Sequence, residues 1–218
     1  MKKLFFSFFC LFFWVNSQVF ADTQLLDGRT ADEWLLRANR AVFQHNHQLA
    51  LSAATNALTL NPQYAEAYFI RGFSYASLGL LHQAIIEYND AIRLNDKNET
   101  YFLMRALAYM GRYIYDEALS DFDKSLQLNP NQPSLYQKRG QLYKNLEKYQ
   151  EAISDFDKAI SFNSKDFLSH FRKAEIYDAL GLRQEAINCY RAFLDYASPN
   201  VQPQFIEQAR TRMKELQS

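Results

Sequence analysis

Cysteine is almost missing from this chain. Only Cys10 and Cys189 occur in 218 residues, and Cys10 lies in an apolar opening stretch, so no disulfide framework organises the fold. Glycine and proline are scarce, at 6 and 5 residues, and most of them fall at breaks between apolar runs. Net charge is absent as well: 24 basic residues balance 24 acidic ones, without the basic excess of a nucleic-acid binder. No GxSxG, P-loop, GxGxxG or HExxH pattern occurs, so the usual short signatures of nucleophilic, phosphate-binding and zinc chemistry are lacking. The histidines are His45, His47, His82 and His170. His45-x-His47 could touch a metal, but no paired cysteines accompany it. The expectation is no catalytic residue, no metal and no cofactor, with an enzyme as the remote alternative.

Long apolar runs are lacking too, with one exception at the start. Lys2 and Lys3 precede the apolar residues 4–15, and Val19-Phe20-Ala21 stands before Asp22. A basic start, a short apolar run and a small-residue site read as a secretory signal peptide over residues 1–21, cleaved after Ala21 or, alternatively, after Ser17. The run is short of the roughly 20 apolar residues that span a bilayer, so membrane attachment would need the leader to stay uncleaved. Phe9 rather than a small residue precedes Cys10, which argues against lipid attachment. The leader looks bacterial and implies a periplasmic or secreted protein. Without Lys2 and Lys3 the balance becomes 22 basic against 24 acidic residues, and Cys189 is the one cysteine left, expected as a partly buried, unreactive thiol.

What the chain has instead is a period. Counted in steps of 34 residues, alanine recurs at Ala50, Ala84, Ala118, Ala152 and Ala186. A large residue recurs at Trp34, Tyr68, Phe102, Tyr136 and His170, and a small one at Ala38, Gly72, Ala106, Gly140 and Ala174. Tyrosine holds at Tyr75, Tyr109, Tyr143 and Tyr177. Within one period the apolar residues fall at helical spacing in two runs separated near Gly79, which predicts two antiparallel amphipathic helices of about 14 residues. Polar or proline-containing links such as Asn61-Pro62 and Asn129-Pro130 close each period. Neither helix could bury its apolar face alone, so the copies must stack. Thr30 and Glu33 have the spacing of a capping box that would start the first helix. His45 and Tyr113 stand where the second copy has Gly79, and a slightly altered helix end is expected at both.

Five in-phase copies resemble the tetratricopeptide repeat, whose 34-residue period and small-aromatic pattern they follow over residues 31 to about 200. The resemblance implies an all-α fold, a right-handed superhelix (α-solenoid) of five helix pairs at 31–64, 65–98, 99–132, 133–166 and 167–200. Residues 22–30 are a lead-in. Phe205, Ile206, Ala209, Met213 and Leu216 make 201–218 a closing helix, against which Phe193 would pack. The first repeat has no such cover beyond Leu25 and Leu26 or another chain, which makes homo-oligomerisation through it the alternative function.

In that family the first helix of each pair lines an inner groove that holds a partner peptide or helix. Carried over by position, the groove is Leu35, Leu36, Asn39 and Phe43 in the first copy, then Phe69, Ile70 and Phe73, then Leu103, Met104 and Leu107. The fourth copy gives Lys138, Gln141 and Lys144, and the fifth Arg172. The expected role is a non-enzymatic scaffold whose partner is apolar toward copies one to three and acidic toward copy four. The family's carboxylate clamp for acidic chaperone tails is not reproduced: Asn39 matches, but Leu35, Ile70, Thr100 and Met104 fill the other places. A separate row, Arg37, Arg71, Arg105, Arg139 and Lys173, suggests an anion ladder, but Glu87, Asp121 and Asp155 stand sixteen residues after the middle three. Structural pairing between the two helices of a pair is the expectation, and Ala53 leaves Arg37 without it.

Overall fold

A computed structural model describes residues 29–197 and 203–217; the leader and residues 22–28 lie outside them. The described residues form eleven α-helices and no strand. The first helix of each pair is α1 (Ala31–Phe43), α3 (Ala65–Ser77), α5 (Glu99–Gly111), α7 (Pro133–Asn145) and α9 (Phe167–Ala179). The second is α2 (His47–Leu60), α4 (Leu81–Leu94), α6 (Tyr115–Leu128), α8 (Tyr149–Phe162) and α10 (Arg183–Tyr196). A further helix, α11, spans Pro203–Gln217. The chain divides into two compact units, one ending at Leu128 and the other starting at Asn129.

The helices start and stop for local reasons. Thr30 and Glu33 close the capping box before α1, each side chain meeting the other's backbone N–H. Pro133 opens α7 at a position where its missing N–H costs nothing. Between the two helices of every pair one residue adopts the left-handed conformation: His45, Gly79, Tyr113, Glu147 and Gly181, with φ between 56° and 79°. They are spaced by 34 residues, and every pair is one 13-residue helix followed by one of 14. The altered helix end expected at His45 and Tyr113 is therefore not found. Stacking demands the same bend in each pair, and the non-glycine residues accept the strained φ to supply it.

In the first unit, Trp34, Leu35 and Ala38 of α1 pack on Ala53, Ala54 and Ala57 of α2 and on Ala67 and Ile70 of α3. A second cluster joins Ala84, Ile85 and Tyr88 of α4 to Ala108 of α5. Gly72 meets Tyr88 so closely that a Cβ there would lie 2.8 Å from the ring. In the second unit, Ala152 and Phe156 of α8 pack with Ile176 of α9. Phe171, Ala174, Ala186, Tyr190 and Phe193 form its last cluster, and α11 adds Phe205, Ile206, Ala209, Met213 and Leu216. The recurring alanines, from Ala50 to Ala186, have no exposed surface at all. Small side chains there let the paired backbones approach, and the aromatics fill the layers between pairs.

Candidate functional site

First helices of consecutive pairs touch directly: α1 with α3 and α3 with α5 in the first unit, and α7 with α9 in the second. Side chains bridge them. Asn39 Nδ2 donates to Glu66 3.5 Å away. The hydroxyl of Tyr64 donates to Asp32 at 2.7 Å, and that bond, with burial adding to it, pushes the tyrosine up to about 12. In the second unit Gln137 donates to Asp166 at 2.6 Å and Lys144 to Glu175 at 2.6 Å.

On the first unit the candidate groove is apolar but uneven. Leu35 and Ile70 are 5% and 3% exposed and belong to the core, so they offer a partner almost no surface. Phe69 is half-buried, stacked on Tyr101 at 5.0 Å and close to Tyr88 at 5.9 Å. Met104 packs against the Ala84–Tyr88 cluster. Phe73, Leu103 and Leu107 are likewise half-buried, and Phe73 faces the His47 ring at 6.2 Å. Leu36 and Phe43 are 60% and 90% exposed. What remains open on the adjoining first helices is Asn39, Phe69, Phe73, Leu103 and Leu107.

The second unit is different in kind. Lys144 and Arg172 converge on one carboxylate, Glu175, at 2.6 and 2.9 Å. Gln141 is bonded to Asn145 within α7, and Asp178 receives both forks of Arg212 from α11. Lys138 is exposed and meets no carboxylate among the described residues. A basic surface waiting for an acidic partner is thus reduced to that one lysine, because the chain's own acids satisfy its neighbours. Sequence reasoning offered Lys144 and Arg172 as groove cations and missed that one carboxylate would serve both, one turn and one pair apart.

The cation row is paired as its spacing predicts. Arg71 binds Glu87 at 2.8 Å, and Arg105 and Arg139 bind Asp121 and Asp155 through two parallel bonds of 2.6 to 2.8 Å. These acids are buried; burial pushes the Glu87 carboxyl up even though Arg71 opposes it. Lys173 takes Asp157 of the preceding helix α8 instead, since Cys189 holds the place sixteen residues on. Burial also pushes the Cys189 thiol up, away from the reactive thiolate. Among the described residues no group of three His, Cys, Asp or Glu is placed to hold a metal ion.

Profiles of the tetratricopeptide repeat match residues 35–99, 133–166 and 168–200. The chain belongs to the tetratricopeptide repeat family. Solved structures with the same fold include YrrB, a tetratricopeptide protein with an unusual peptide-binding site, at 20% identity and TM-score 0.74, covering 88% of this chain and 98% of that one. A tetratricopeptide protein of Parabacteroides merdae aligns at 22% identity and TM-score 0.72, over 86% of this chain and 73% of its own. MamA aligns at 20% identity and TM-score 0.69, over 73% and 93%. At such identities the likeness shows the fold alone. No curated protein sequence matches. In this tetratricopeptide chain the positions carried over from the family are mostly apolar in the first unit, while in the second Lys144 and Arg172 share Glu175 and Gln141 bonds Asn145.

Proposed function

We propose that this chain is a non-enzymatic interaction scaffold that takes an apolar peptide or helix of a partner protein on the first-helix face of its first unit. The observation that carries this reading is the half-buried apolar row Phe69, Phe73, Leu103 and Leu107 on adjoining helices, which keeps part of each side chain open. A soluble surface keeps such residues open at a cost unless a partner covers them. Asn39 and Glu66, bridged at the edge of that row, supply polar groups that would fix a partner's orientation. The partner is a protein or peptide, not a nucleic acid, given the charge balance. Replacing Phe73 and Leu107 together with serine should leave the helical content intact and reduce capture of the native partner by cross-linking at least tenfold, the loss expected for two truncated apolar anchors. Undiminished capture would sink the reading.

The place of action is the cell envelope or outside, on the strength of the basic-apolar opening and the Val-x-Ala before Asp22. The mass of the protein recovered from its cells should be that of a chain starting at Asp22. A mass that includes residues 1–21 in the cytosolic fraction would overturn this.

A further inference from the structure

The outer side of α1 carries an observation that the groove does not explain. In the second and third copies the row cation is held from two sides, and in the fifth from behind alone. The partner ahead is on the second helix of its own pair, sixteen residues on, and the partner behind is on the second helix of the preceding pair, sixteen residues back. Arg71 meets Glu87 ahead and Thr55 behind at 3.5 Å; Arg105 meets Asp121 ahead and Asn89 behind at 2.7 Å; Lys173 meets Asp157 behind. Arg37 has neither. Ala53 stands ahead of it, no second helix of a preceding pair is described behind it, and among the described residues its guanidinium meets the Trp34 ring at 5.3 Å and no carboxylate.

The apolar neighbours repeat the same asymmetry. Ile70 of the second copy is 3% exposed because the preceding pair covers it, while Leu36 at the same position of the first copy is 60% exposed. Arg29, Glu33, Leu36, Arg37, Arg40 and Leu49 border a cleft of about 360 Å³ there. Two of the guanidinium groups there, those of Arg37 and Arg40, stand beside a single carboxylate, Glu33, which is already committed to the Thr30 cap. A surface of this kind calls for a ligand that is apolar on one stripe and acidic beside it.

We propose that this side of α1 receives a helix from a protein partner, lying where a preceding repeat's second helix would lie. The helix is amphipathic: an Asp or Glu reaches Arg37, as Asp157 reaches Lys173, and aliphatic residues cover Leu36 and Leu49. The site takes in Leu36, one of the positions carried over for the groove, but not the row Phe69, Phe73, Leu103 and Leu107, and it does not depend on that row being occupied.

A labelled peptide with the sequence of residues 147–165 is the probe, since it contains α8 with Asp157 in the required register. Fluorescence anisotropy with the protein purified from its own cells should show saturable binding. Arg37→Glu should weaken it about tenfold, as expected for a lost and reversed charge pair, and a peptide with Asp157→Arg should recover affinity for that variant alone. Leu36→Lys, at an exposed position, should weaken both peptides while leaving the melting curve unchanged. Absence of saturable binding, or equal binding by Arg37→Glu, overturns the proposal. So does binding that appears only after residues 22–28 are deleted, which would give the face to the chain's own lead-in. Self-association seen by light scattering and lost in Arg37→Glu would give it to a second copy, with the same consequence.

Discussion

Two residue-scale features of this protein have measurable costs. The left-handed bends at His45, Tyr113 and Glu147 each hold a side chain in a conformation that costs on the order of 1–3 kcal/mol outside glycine. Replacing any one with glycine should raise stability by about 1 kcal/mol, after the extra freedom of the unfolded glycine is deducted. Chemical denaturation of Tyr113→Gly gives the check; an unchanged or lowered midpoint would show that the side chain contributes more than its strain. The second feature is the buried pair of Arg105 and Asp121, 19% and 7% exposed. Asp121→Ala leaves a guanidinium half-buried without its partner and should cost about 3–5 kcal/mol. The same change at Asp96, which is exposed in the turn after α4, should cost under about 1 kcal/mol. Equal losses at the two positions would contradict the pairing argument.

Among the elements, α11 has the plainest job. Phe171, Tyr190 and Phe193 would otherwise end the second unit as an open aromatic face, and Phe205 closes it edge-on at 5.4 Å from Phe171. Arg212 clamps the helix to Asp178 with bonds of 2.6 and 2.9 Å. A chain ending at residue 200 should bind a hydrophobic dye and lose about 3 kcal/mol or more in the unfolding of residues 129–200, as burying several large side chains implies. Intact stability without dye binding would mean that the cluster is shielded some other way. The helices were legible because alternating small and aromatic residues leave few other ways to pack. The bends were misjudged at His45 and Tyr113 because a local glycine rule was allowed to outvote the demands of stacking. Positive φ at a non-glycine residue leaves no mark in composition, only in phase: the 34-residue spacing from Gly79 was the available signal.

Over the whole molecule, fold and site separate in how much of each could be read. The period placed the helix pairs and the buried arginine–carboxylate bridges, because both are set by distances along a helix. Surface chemistry was read less well. Leu35 and Ile70 carry groove positions by family analogy, yet the neighbouring pair buries them. Lys144 and Arg172 appeared as free cations, yet Glu175 neutralises both: it lies one turn from Arg172 on α9, where spacing alone showed the pair, and meets Lys144 only because α7 and α9 lie side by side. The register behind each cation, with Thr55, Asn89 and Asp157, was equally present in the spacing. It became visible only when the helices of adjacent pairs were seen side by side.

All five bends share one backbone shape, and their tips point into solvent whatever they carry: an imidazole, a phenol, a carboxylate or nothing. Hinge geometry and tip chemistry are therefore uncoupled. Mutation is free to redecorate these corners, for recognition or for solubility, without disturbing the joints that set the spacing of the rods.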